Sequence, residues 1–120
     1  MTPRRPAALV LLAALLAGAC QTAGAAPAVL THADPGTMSH LKATLATAMG
    51  RPKIELGPGD PTQSPVLSVL PPSPGPLEDR NLAKPTIFRL EIEGGACVLV
   101  REDTGARIPL TGIDCRAVAR

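Results

Sequence analysis

One amphipathic helix packed on a small antiparallel sheet of four to five strands, an α+β architecture, is what the patterning of this chain predicts. Three observations carry that expectation. Apolar residues recur at helical spacing between Met38 and Met49, and they alternate with charged residues from position 86 to 93. The alternating stretch ends on Gly94-Gly95, a pair suited to a two-residue hairpin turn. Cys97 and Cys115 then fall where a returning chain brings them together, and their disulfide would staple a core short of large side chains.

The core is short of them because 120 residues include one Phe, no Trp and no Tyr. Aromatic rings bury the most area per residue, so Leu, Ile, Val, Met and Ala must do the packing. Fourteen prolines and eleven glycines without a repeating period add long irregular stretches. A chain of this length supports one small domain.

The helix is expected from the Asp34-Pro35 pair, an N-cap followed by proline in the first turn, with Thr37 or Ser39 as alternative caps. Met38, Leu41, Leu45, Ala48 and Met49 form its apolar stripe, with Lys42, Thr44 and Thr47 on the other side. Gly50 supplies a left-handed stop and Pro52 a breaker. Lys53, Ile54, Glu55 and Leu56 then alternate as a short strand, ended by the Gly- and Pro-rich positions 57–61. A second short strand is expected over 66–70, behind Pro65. Positions 71–76 read PPSPGP and begin a Pro-rich loop spanning 71–85, a spacer or a presented loop without regular pairing.

The last third reads as a meander. Phe88, Leu90 and Ile92 share one face of the strand at 86–93, and Arg89, Glu91 and Glu93 share the other. A turn at Gly94-Gly95 sets Ile92 opposite Cys97 and Leu90 opposite Leu99. The next strand, 96–101, turns at 102–105 with Gly105 left-handed and returns over 106–110. Pro109 lacks an amide for one side of a ladder, so this strand belongs at a sheet edge. Up one strand and down the next, the chain reaches Thr111 beside its starting end, and a bend at Gly112 carries Cys115 toward Cys97. Closing a loop of about 19 residues contributes about 3 kcal/mol in the chain-entropy description.

The N-terminal segment has a different character. Arg4 and Arg5 precede eleven residues of Ala, Val and Leu at 7–17, then Gly18, Ala19 and Cys20. That order reads as a secretory signal peptide over 1–19, with an apolar run too short to span a bilayer permanently. The two arginines also meet the minimum for a twin-arginine signal, but any basic leader carries two. Ala17-Gly18-Ala19-Cys20 resembles the bacterial lipobox, usually Leu-Ala-Gly-Cys, with Leu16 one place further out than the usual leucine. The resemblance implies cleavage before Cys20 and a diacylglycerol on its thiol. Gln21, rather than Asp, after the cysteine implies sorting to the outer membrane, facing the periplasm. The competing reading is an ordinary small-x-small cut after Ala19 or Ala25, giving a soluble periplasmic or secreted protein.

Cysteine count bears on the choice. Of Cys20, Cys97 and Cys115, one is odd in an oxidising compartment unless it is lipidated or removed. Residues 20–36 (CQTAGAAPAVLTHADPG) then read as a flexible tether, leaving 37–120 as the domain. Without Arg4 and Arg5 the formal charge of +2 vanishes, since ten basic residues face ten acidic ones. A near-neutral domain with neither a Lys/Arg cluster nor stacking aromatics has no footprint for nucleic acid.

Chemistry is sparse. Asp103-Thr104-Gly105-Ala106 matches the letters of the retroviral-type aspartic protease motif, but Arg101 and Glu102 precede it where aliphatics belong. It reads as a hairpin turn. His32, Asp34 and His40 match no compact metal spacing. No nucleophile elbow, phosphate-binding loop or Cys-His couple is present, so no catalytic residue, metal or cofactor is assigned. The expectation is a non-enzymatic, lipid-tethered envelope domain contacting a protein partner or the cell wall. The alternative is a soluble inhibitor or ligand-binding module presenting the 71–85 loop. A helix followed by antiparallel strands behind a lipid tether is similar to small outer-membrane assembly lipoproteins, at the level of architecture.

Overall fold

The computed structural model describes residues 24–73 and 83–118. The signal segment, Cys20 and most of the Pro-rich loop lie outside the described residues. The helix forms where its capping residues direct it. α1 spans Pro35–Met49, and Asp34 at its N-cap accepts from the Thr37 amide at 3.1 Å and the Thr37 hydroxyl at 2.7 Å. At the other end Gly50 adopts φ 67°, ψ 32°. The Gly50 amide donates to Thr47 and the Arg51 amide to Ala46, the paired closure of a Schellman motif. Leu41 and Leu45 are fully buried and Ala46 nearly so, with Met38 and Met49 packed around them.

The sheet is built on β3 (Thr86–Glu93), which pairs along one edge with β4 (Ala96–Arg101). The expected register holds: Ile92 faces Cys97 and Leu90 faces Leu99. Gly94 and Gly95 turn the hairpin with φ 59° and 82°, values that L side chains rarely adopt. Beyond β4, Gly105 (φ 76°) turns the chain into β5 (Arg107–Pro109). Arg101 N bonds Ala106 O and Leu110 N bonds Cys97 O. Alternate residues of an antiparallel strand bond the same neighbour, so Pro109 occupies a position whose amide would point away from β4. Proline there costs no ladder bond and blunts the sheet edge, as its position predicts.

The other edge of β3 is shared end to end. β2 (Val66–Val69) takes positions 86–89, and β1 (Ala26–Leu30) takes Glu91 and Ile92. Between them the Leu90 amide bonds the Pro65 carbonyl at 2.7 Å. β1 then leaves β3, and its last three residues pair with β6 (Cys115–Ala117). The sheet therefore has six antiparallel strands in the order β5-β4-β3-β1-β6, with β2 also on β3. Phe88, Leu90, Leu99, Leu110, Leu30 and the helix leucines fill the core between helix and sheet.

Three expectations are corrected. The sheet has six strands where four to five were expected, because residues 26–30 and 115–117 add β1 and β6. Residues 26–30 are not tether: Ala28 and Leu30 are 0% exposed and Val29 3%. The reason is tertiary. A five-residue segment bonded on both sides and seated in the core recovers the entropy of ordering that its composition alone cannot. Asp34 and Pro35 likewise belong to the helix start, so the folded domain begins at Ala26 and not at 37. The strand expected at 53–56 shrinks to a single bridge, Leu56 with Val69, flanked by bonds from Gly57 N to Ser68 O and from Leu70 N to Glu55 O. Pro52 and Pro58 bracket the segment and limit the ladder, although Ile54 is still buried. A Cβ on Gly57 would lie 3.2 Å from that of Ser68, so the close approach uses its bare backbone.

Candidate functional site

The cysteines come together because two separate ladders deliver them. β4 places Cys97 opposite Ile92, with its side chain on the core side at 5% exposure. β6 places Cys115 opposite Leu30, half-buried. The disulfide joins them with Cα atoms 6.0 Å apart. Its structural effect is a ring. β4–β3, β3–β1 and β1–β6 are hydrogen-bonded, and the covalent bond closes the fourth side from β6 to β4. The Cys97 sulfur also lies 3.1 Å from the Ile113 carbonyl oxygen.

Beside this bond is an open groove of about 360 Å³, walled by Gly95, Ala96 and Cys97 on one side and the turn from Pro109 to Asp114 on the other. Gly112 shapes that turn with φ 78°, and a Cβ there would sit 3.7 Å from Cε1 of His40 on α1. His40 therefore borders the C-terminal turn. Asp34 is committed to the helix cap, and the hydroxyl and amide of Thr37 lower its pKa. Among the described residues, no three His, Cys, Asp or Glu side chains gather where they could hold a metal ion.

A second groove, of about 270 Å³, lies between Arg51–Glu55 positions and the start of the Pro-rich loop. Arg51 Nη2 donates to the Leu70 carbonyl at 2.9 Å, pinning the chain just before Pro71. Its Nε is buried without a hydrogen-bond partner. Nothing in the spacing of the sequence marked Arg51 for this position.

The outer sheet face carries the remaining charge. Arg107 donates to Glu91 at 3.1 Å and to Glu93 at 3.0 Å, so one side chain reaches from β5 across β4 to β3. Val98 and Val100 of β4 share that face, and Val100 is only 6% exposed. The arginine stem passing over them accounts for valines on a charged face. The bond to Glu91, assisted by Glu93, raises the guanidinium pKa above its ordinary value. At the tip of the β4–β5 hairpin, Asp103 pairs with Arg101 at 2.8 Å, and Thr104 Oγ1 accepts from the Ala106 amide at 3.2 Å. The Asp-Thr-Gly-Ala sequence is thus a turn. Asp60 similarly accepts from the hydroxyl and amide of Thr62, which lower its pKa.

Among the described residues no polar or charged residue is buried as a whole, although Arg51 buries its Nε, and the groups with shifted pKa all face solvent. No helix among them is long and apolar enough to cross a membrane. No protein-family model matches the chain, and no curated protein and no solved structure shows significant similarity to it.

Proposed function

We propose that the protein is a non-enzymatic envelope lipoprotein, anchored through Cys20, whose small domain works by contact with a protein partner or the cell wall. One observation carries most weight: the folded body begins at Ala26, six positions after Cys20. An extended chain covers at most about 3.3–3.6 Å per residue, so the domain is held within about 20 Å of its anchor. A short leash confines the domain near the membrane, where a high local concentration lets a weak binder act. The Cys97–Cys115 disulfide suits the oxidising compartment to which an exported chain is delivered.

A second reading draws on the same strand. A cut after Ala25 leaves Ala26, the first residue of β1, as the new N-terminus of a soluble periplasmic or secreted module. Palmitate labelling and fractionation of wild type and Cys20→Ser distinguish the two. The lipoprotein reading expects label and membrane association in wild type and loss of both in the variant. An unlabelled wild type in the soluble fraction contradicts it. Crosslinking in cells from a reactive residue on the exposed face of β3, such as Arg89→Cys labelled with a crosslinker, then identifies the contact.

A further inference from the structure

β1 and β6 form a ribbon made from the first and last strands of the domain; β1 is seated in the core, but few main-chain pairings tie the ribbon to β3. β1 pairs with β3 at two residues, Ala26 and Pro27, and with β6 at three. Thr31 N bonds Asp114 O and Val118 N bonds Pro27 O, so the main-chain groups of Cys115 and Ala117 point away from β1. No strand among those described pairs with that outer edge. On this side, β6 is held to β4 by the disulfide. Cys115 is half-buried on a three-residue edge strand, and the groove of about 360 Å³ opens beside Cys97.

We propose that the Cys97–Cys115 bond is a reducible latch on this ribbon, opened by a dithiol reductant of the thiol–disulfide oxidoreductase class. A thiolate of the reductant attacks the Cys115 sulfur, the more exposed of the pair. The sulfur–sulfur bond breaks, and its electron pair leaves on Cys97, which takes up a proton. The reductant's second thiolate then attacks the mixed disulfide, releasing the Cys115 thiolate, which is protonated in turn. Two electrons and two protons pass to the protein, and the reductant becomes a disulfide. The reduced Cys97 thiol has an acceptor in place, the Ile113 carbonyl at 3.1 Å. Reduction opens the ring between β6 and β4, beside Leu110 and Ile113, while the β2–β3–β4–β5 ladders keep every hydrogen bond.

The test uses the mature protein purified from cells, treated with dithiothreitol without denaturant. Thiols are alkylated and weighed, and amide exchange is followed residue by residue. Both Cys97 and Cys115 should become alkylated, and the amides that bond across the ribbon, those of Val29, Thr31, Arg116 and Val118, should exchange on the order of 100-fold faster. Amides of β3 and β4 should keep their protection. The Cys97→Ser/Cys115→Ser double variant should reproduce this pattern without reductant. If that variant does not fold, the reduced wild type decides. A bond that stays oxidised in the native protein overturns the proposal. So does protection lost everywhere at once, the behaviour of a staple on the whole fold, or protection unchanged at the ribbon.

Discussion

Phe88 should be the most costly single truncation in the domain. It is the only aromatic residue, it is 0% exposed, and it sits on β3 between Leu67 of β2 and Arg101 of β4. Phe→Ala in a packed core costs about 3–5 kcal/mol, because transfer free energy is lost and a cavity remains. A domain of about 95 residues has about 5–14 kcal/mol of stability in all. The Phe88→Ala change therefore removes at least about a fifth of it, and about 40% at the middle of both ranges. With a urea slope of about 1.5 kcal/mol/M, the midpoint falls by about 2–3 M. The chain has neither Trp nor Tyr, so far-ultraviolet circular dichroism, rather than intrinsic fluorescence, follows the transition. Val66→Ala, at a position 48% exposed, is the control and should stay within about 0.5 kcal/mol of wild type. A Phe88→Ala loss no larger than the control's would refute the placement of Phe88 at the centre of the core.

Other changes test other parts of the fold. Leu30→Ala should cost about 2–5 kcal/mol in the same melt, because β1 is core and not tether; a neutral result would return 20–36 to a linker. Gly95→Ala should cost about 1–2 kcal/mol, since φ 82° disfavours any Cβ, whereas Gly94→Asn keeps a turn-forming pair and should be close to neutral. Asp34 has its pKa depressed in the folded state, so its contribution is present above the unfolded value of about 3.9 and is lost as pH falls through the folded one. Asp34→Asn keeps a capping oxygen and removes the titration. Melts across pH 2 to 6 should therefore show a shallower acid limb in that variant, with Asp60, also depressed, contributing to what remains.

How much of this was legible in the sequence depended on how local the determinants were. α1 could be read almost whole, because Asp34, Pro35 and Gly50 mark its ends and the stripe repeats within the twelve residues 38–49. The β3–β4 hairpin could be read to its register, since Gly94-Gly95 permits one turn and a slip by one residue would invert the faces. The disulfide followed from that register together with the return at β5. β1 and β6 were not legible: each is short, their pairing spans almost the whole domain, and Pro27 disguises the first as a linker. Such strands exist only through each other and the core they cover. The alternation at 53–56 shows the converse, a strand-like pattern reduced to one bridge by flanking prolines. At the candidate site the cysteines were visible in advance. The seat of Arg51 on the Leu70 carbonyl, and the reach of Arg107 across β4, depend on packing that no spacing records.

Anchoring of the domain through Cys20 is tested most directly by the mass of the mature N-terminus. Protein is purified from the membrane fraction, digested, and its N-terminal peptide weighed. The expected peptide begins at Cys20 and carries the added mass of a diacylglyceryl group. A peptide beginning at Ala26, or at an unmodified Cys20, would contradict the account and leave a soluble domain with the same fold.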